Sequence, residues 1–157
     1  MQLNKIITII LSIITITACN FKKINKKNIV DNGSFISREI LNNNIKEIVN
    51  KNIIYFDFNN YYISQEYINL LDRYVFFLRQ HPFIHIKIQG HTDELGSPEY
   101  NIALGERRAT IVKLYFQCHG VDSDQIFIIS YGKEKPAVLG HNETSYAKNR
   151  RVVLQIL

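Results

Sequence analysis

Between Phe83 and Gln89 apolar and polar residues alternate: Ile84, Ile86 and Ile88 on one side, His85, Lys87 and Gln89 on the other. A period of two over seven residues is the signature of a strand with one buried face. Gly90 ends that run, a polar stretch His91–Ser97 follows, and the period then lengthens. Ser97 is a natural N-cap and Pro98 a natural first helical residue, so a helix starts there. It is expected to run to about His119, with Gly120 in the left-handed position past its end. A half-buried strand that hands over to a long helix commits the chain to a layered α/β arrangement.

The flanking segments extend this pattern. Ile53–Phe56 is a short apolar strand. Ser64 caps a helix expected to reach about Gln80, with Ile68, Leu71, Val75 and Leu78 on one face; His81-Pro82 stops it. Ile126–Tyr131 is a third strand and Arg151–Leu157 a fourth, with Val152, Leu154 and Ile156 on one face. The order β-α-β-α-β-β predicts a two-layer α/β (α+β) sandwich, with helices on one face of a mixed sheet. A chain of 157 residues has room for one such domain and an appendage.

Charge separates the two parts. The formal charge is +5, yet residues 53–157 carry eleven Lys/Arg against eleven Asp/Glu. Residues 20–52 carry seven against three, with Lys22, Lys23, Lys26 and Lys27 close together. A nucleic-acid surface needs a concentrated basic field on the folded part, so nucleic acid is not expected as a partner. Asp31-Asn32-Gly33-Ser34 is turn-like, and Phe35–Val49 has weak helical spacing interrupted by Asn42-Asn43-Asn44. Residues 19–52 therefore read as a flexible tether, with a reach of roughly 100 Å fully stretched.

Met1–Lys5 is short and basic, and Ile6–Ile16 is apolar but too short to span a bilayer as a helix. These are the regions of an export signal. The run ends in Ile16-Thr17-Ala18-Cys19, which resembles the lipobox of bacterial lipoproteins. That resemblance implies a signal peptide over 1–18, cleavage before Cys19, and acylation of Cys19 as the new N-terminus. Two or more acyl chains hold a protein at a membrane where one does so marginally. Asn20 resembles the outer-membrane class, which lacks an Asp after the Cys. Cys118 then remains as the single thiol, read as a packing residue near a helix end.

The chemistry concentrates where the second strand meets the second helix. Asp93 sits on the turn, while helical geometry puts Asn101, Leu104, Gly105 and Arg108 on one face, taken to be partly exposed. A loop folded over that face makes a site with one anionic and one cationic wall, suited to a zwitterion: Asp93 for an ammonium, Arg108 for a carboxylate. Gly105 would keep the space between them open. The alternative is an internal Asp93–Arg108 salt bridge beside a helix-capping loop. For Arg150 and Arg151 two readings stand: orientation of Asp93 or contact with ligand, and pinning of the last strand to nearby acids. His91-x-Asp93 offers two metal ligands, with His85 or His141 as a third, but there is no His-x-x-x-His pair on a helix. There is no Gly-x-Ser-x-Gly, and Cys118 and His119 point apart on a helix, so no cofactor and no catalysis are expected.

Gly90-His91-Thr92-Asp93-Glu94-Leu95-Gly96-Ser97-Pro98-Glu99-Tyr100-Asn101 followed by Leu104-Gly105-Glu106-Arg107-Arg108-Ala109 resemble the OmpA-like peptidoglycan-binding domain. Ser130–His141 and Lys148-Asn149-Arg150-Arg151, together with the lipobox, resemble the lipoprotein branch of that family that works in the Tol–Pal system. The resemblance covers residues 53–157. It implies a non-catalytic lipoprotein, anchored in the outer membrane with its domain in the periplasm. Such a protein binds the meso-diaminopimelate of peptidoglycan stem peptides and supports envelope integrity and cell division. It also implies partnership with the Tol-system periplasmic β-propeller and other Tol–Pal proteins. Residue by residue, it carries ligand contact to Asp93 and Arg108, to backbone amides at Phe58-Asn59, and to Thr92, Asn101 and Leu104 around the pocket. Asn59 departs from the family's acid, and Tyr62 also stands where relatives often have one.

Overall fold

The structure is a computed structural model that describes residues 50–157. The signal segment, Cys19, the Asp31–Ser34 turn and the helical tendency over 35–49 lie outside the described residues. Four strands, β1 (Ile53–Tyr55), β2 (Ile86–His91), β3 (Ile126–Gly132) and β4 (Arg151–Ile156), form one sheet in the order β1-β4-β2-β3. The sheet is mixed: β2 and β3 pair in parallel, and β4 lies antiparallel between β1 and β2. Helices α1 (Ile68–Gln80) and α2 (Pro98–Cys118) connect β1 to β2 and β2 to β3, and short 3-10 turns precede α1 and β3. No helix among the described residues is long and apolar enough to cross a membrane.

The core lies between the helices and one sheet face. Ile54, Ile86, Ile88, Ile126, Val152 and Leu154 from the sheet meet Leu71, Tyr74, Val75 and Leu78 of α1 and Ala109, Val112 and Phe116 of α2, all buried. On the opposite face Tyr55, Phe127, Ile129 and Gln155 are exposed. The expected two-layer architecture is therefore present, with a third helix in addition: α3 (Glu143–Asn149) sits between β3 and β4. Its N-cap Asn142 accepts a hydrogen bond from Ser145 N at 2.9 Å. At seven residues with no apolar stripe, it offers no periodicity to detect.

Other boundaries differ for local reasons. The strand expected from Phe83 starts at Ile86. Phe83 is almost fully exposed, and Ile84 N bonds back to His81 O at 3.0 Å, so the chain is still turning. Ser64 precedes the 3-10 turn Gln65–Tyr67 and its side chain makes no capping bond, while Tyr67 takes the N-cap position of α1. The C-terminal carbonyls of α1 find a remote partner: Gln125 Nε2 donates to Leu78 O, His81 O and Ile84 O at 3.2, 3.1 and 2.8 Å. Cys118 is exposed at the end of α2 and is not a packing residue.

Gly90 and Gly105 decide how closely α2 rests on β2. A Cβ on Gly90 would stand 1.9 Å from Gly105 O, and a Cβ on Gly105 would meet Ser130 Oγ at 2.4 Å and Gly90 C at 3.2 Å. Gly105 therefore closes a helix–strand contact; the expectation that it keeps a ligand space open is wrong. Just beyond, the β2–β3 register shifts between Gly90 and His91, so that His91 pairs with Gly132. A shift of this kind bends the strand and redirects the side chains that follow.

Two outcomes follow. Gly90→Ala puts a methyl group into backbone and should cost about 3 kcal/mol, read from the urea midpoint; a loss under about 1 kcal/mol would contradict the packing. His91 is buried, its ring beside Tyr131, and neither ring nitrogen has a hydrogen-bond partner. Burial, assisted by the nearby Arg151 charge, pushes its pKa down to about 4 from the ordinary 6.5. As pH falls below 6.5 the unfolded chain takes up the proton first, while the folded ring stays neutral down to about 4. Stability therefore declines across that window, by a His91 contribution on the order of 3 kcal/mol, and is unaffected by this ring above it. His91→Phe should flatten the pH profile between 6.5 and 4; an unchanged slope would contradict it.

Candidate functional site

After β1 the chain turns through Asp57–Asn60, closed by Asn60 N donating to Asp57 O at 3.2 Å. Asn59 holds the third place of this turn with φ +52°. Asn tolerates that conformation better than most residues, which gives Asn59 a backbone role in the turn. Its side-chain oxygen accepts a hydrogen bond from the Tyr100 hydroxyl. The amides of Phe58 and Asn59 enter none of the loop backbone hydrogen bonds of the described residues.

The second loop leaves β2. Thr92 N donates to Gly132 O at 2.9 Å, and Thr92 Oγ1 donates to Asp93 O at 2.9 Å. The Asp93 carboxylate is buried: Oδ1 accepts from Leu95 N at 3.2 Å and Oδ2 from Arg150 Nη1 at 3.3 Å. Outside it, Lys133 Nζ donates to Gly96 O at 2.9 Å. Glu94 Oε1 accepts from Tyr146 Oη at 2.8 Å and pairs with His141 Nδ1 at 2.7 Å. Those contacts hold the Glu94 carboxyl below its usual range, and Glu94 in turn raises the His141 pKa.

The loop ends on α2, where Ser97 Oγ accepts from Tyr100 N at 3.2 Å. Asn101 Nδ2 donates to Leu95 O at 3.0 Å and ties the loop to the helix. Asn101 Oδ1 is buried with no hydrogen-bond partner. A buried acceptor left open in this way costs about 1–3 kcal/mol unless something fills it.

Phe58, Asn59, Asp93, Asn101 and Leu104 come together around one cavity of about 240 Å³, completed by Leu95, Gly96 and Tyr100. Thr92 does not join them; it lines a neighbouring recess with Glu94, Lys133 and Asn149. Arg108 does not line the cavity either. It follows Leu104 by one turn of α2 and is wholly buried, so the expectation of a partly exposed position is wrong. Its Nε donates to Asn60 O at 2.8 Å, Nη1 to His91 O at 2.9 Å and Nη2 to Asp57 O at 3.1 Å. The Phe56 ring lies 5.2 Å from the guanidinium carbon. Burial lowers its pKa to about 10, against the opposing pull of Asp93, so it remains a cation at neutral pH. Three carbonyls occupy three of its five donors, leaving one N–H on each of Nη1 and Nη2.

The internal salt bridge weighed for Asp93 and Arg108 is not formed; Asp93 pairs with Arg150. Arg150 combines both readings given to it. It holds Asp93, reaches Glu143 through Nη2, and donates from Nε to Phe56 O at 3.2 Å, next to β4. Arg151 donates to Asn149 O and Lys135 O, beside the start of β4. Asn149 accepts from Ala137 N and Val138 N at 2.7 and 3.1 Å and so pins the long loop after β3. Among the described residues no three His, Cys, Asp or Glu side chains gather as a metal site.

The chain is similar to known proteins over the segment that builds this cavity. The OmpA family model matches residues 55–150. The peptidoglycan-associated lipoprotein of Pasteurella multocida is 52% identical over 103 residues, 66% of this chain and 69% of that protein. The peptidoglycan-associated lipoprotein of Buchnera aphidicola subsp. Baizongia pistaciae is 39% identical across 98% of this chain and 96% of its own length. The crystal structure of the peptidoglycan-associated lipoprotein from Burkholderia pseudomallei superposes with a TM-score of 0.69 at 44% identity, covering 70% of this chain and 93% of that one. With a fold, a loop-to-helix motif and near full-length similarity in agreement, the chain belongs to the OmpA family, in its peptidoglycan-associated lipoprotein branch.

Proposed function

We propose that the chain is a non-catalytic lipoprotein that binds diaminopimelate-type peptidoglycan and so fastens the outer membrane to the cell wall. The observation that carries this reading is the placement of a few polar groups in a largely apolar cavity. The Asp93 carboxylate and the open Asn101 Oδ1 are acceptors suited to an ammonium. The Phe58 and Asn59 amides are donors suited to a carboxylate, and the buried Arg108 cation beneath the cavity adds attraction for it without lining it. Diaminopimelate ends its side chain in both groups. At about 240 Å³ the cavity takes such a headgroup rather than a large ligand. The relatives' name, peptidoglycan-associated lipoprotein, supports the same ligand.

In this reading residues 1–18 are the lipoprotein signal, Cys19 carries the acyl chains, 19–52 form the tether and 53–157 the periplasmic domain. The chain acts within the Tol–Pal system in envelope integrity and cell division. Phe58, Leu95 and Tyr100 form an exposed apolar rim around the cavity, a surface that also suits a protein partner such as the Tol-system β-propeller.

Asp93→Asn keeps the acceptor that receives Leu95 N but removes the charge. Retention on purified sacculi should fall at least about tenfold while the far-UV spectrum stays native; undiminished retention of the folded variant would refute the site. Arg108→Leu leaves three buried carbonyls without donors and should lose about 3 kcal/mol or more of stability, so it tests the scaffold as well as the ligand. Cys19→Ser should move the protein from the membrane to the soluble fraction; unaltered fractionation would refute the lipid anchor.

A further inference from the structure

The turn that supplies Phe58 and Asn59 also borders a second, larger cavity of about 440 Å³. Tyr55, Tyr62, Tyr67, Asp57, Ser64 and Lys148 line it. Tyr55 and Tyr62 are exposed, at 41% and 67%. Asp57 and Lys148 enter no ion pair among the described residues. Ser64 stands at a helix start yet leaves its hydroxyl off the cap. Exposed phenol rings thus surround a carboxylate, a hydroxyl and an ammonium, none of which the fold uses. From these groups we infer a subsite for a neutral sugar.

The chemistry separates this ligand class from others. A sugar ring has a C–H face that packs on an aromatic face, and an edge of hydroxyl and acetamido groups for hydrogen bonding. A purely apolar occupant would bury Asp57 and Lys148 without partners. A polyanion would meet the carboxylates of Asp57 and Glu66, which also lines the cavity.

Continuity identifies the source of the sugar. Arg150 lines this cavity while its Nη1 holds Asp93 of the first. Asp57, on this cavity, directly precedes Phe58, on the other, so the two openings are separated by a few residues of turn. The stem likewise places two residues between a diaminopimelate and the glycan it hangs from, a reach of at least about 7 Å when extended. This inference rests on the stem-peptide reading above and extends it: the protein grips the wall polymer at both the stem and the sugar.

The test is calorimetric titration of the detergent-solubilised full chain with three probes: an alanyl-glutamyl-diaminopimelate tripeptide, the disaccharide-tripeptide, and the disaccharide alone. The wild type should bind the disaccharide-tripeptide about tenfold tighter than the tripeptide. Tyr62→Ala and Lys148→Ala should each shrink that ratio towards one and leave tripeptide affinity within about twofold. Equal affinities in the wild type, or a ratio that survives both substitutions, would overturn the sugar subsite. If the tripeptide does not bind at all, the stem-peptide reading fails by itself. Tyr62-dependent binding of the disaccharide alone would then still uphold the subsite, and absence of that binding would overturn it too.

Discussion

A guanidinium without solvent contact holds together the end of this domain that carries the cavity. Arg108 reaches from α2 to carbonyls at Asp57, Asn60 and His91, so one side chain fixes the turn after β1 against the last residue of β2. Removing an ion from water costs several kcal/mol, and a charge in that position persists only when its donors are matched. Here they are, by three carbonyls and an aromatic face. The cavity walls are the residues carried by those same segments: Phe58 and Asn59 on the turn, Asp93 two residues beyond His91. The cavity has its shape because a cation lies beneath it.

A second arginine works alongside. Arg150 ties Asp93 to Glu143 of α3 and to the Phe56 carbonyl, so the anion of the site is balanced inside the protein and its position is set by β4 and α3. On the outer side, Lys133, His141 and Tyr146 hold the Glu94–Gly96 stretch, and Asn101 holds Leu95 from within. The loop between β2 and α2 is therefore constrained from both sides before any ligand arrives. Such preorganisation lets a small cavity bind with little ordering cost.

The architecture was legible in the sequence where local chemistry decides it. Alternation placed β2, and Ser97-Pro98 and Gly120 bounded α2 to within a residue. Both Ser64 and Ser97 marked helix starts, although only Ser97 uses its side chain to do so. The short α3 carries no apolar rhythm and stayed hidden. The site was legible in part: spacing put Asn101, Leu104 and Arg108 on one face, and resemblance named the loop. What spacing cannot reveal is contact across the chain. An arginine on a helix reads as solvated until the carbonyls about fifty residues upstream are seen around it. The Arg150 partner of Asp93 is likewise 57 residues away. Glycines deceived in the same manner: Gly105 looked like room for a ligand and is instead where helix and strand touch.

The proposed site must recognise a carboxylate and an ammonium at once. Titration of the full chain with a muropeptide bearing diaminopimelate, and with its counterpart bearing lysine, addresses it directly, since the two ligands differ by one carboxylate at the side-chain end. Leaving the amides of the Phe58-Asn59 turn, and the cation beneath them, without that carboxylate should cost roughly 2–3 kcal/mol, a preference of about 30- to 150-fold for the diaminopimelate form. Equal affinity for the two muropeptides would contradict the account.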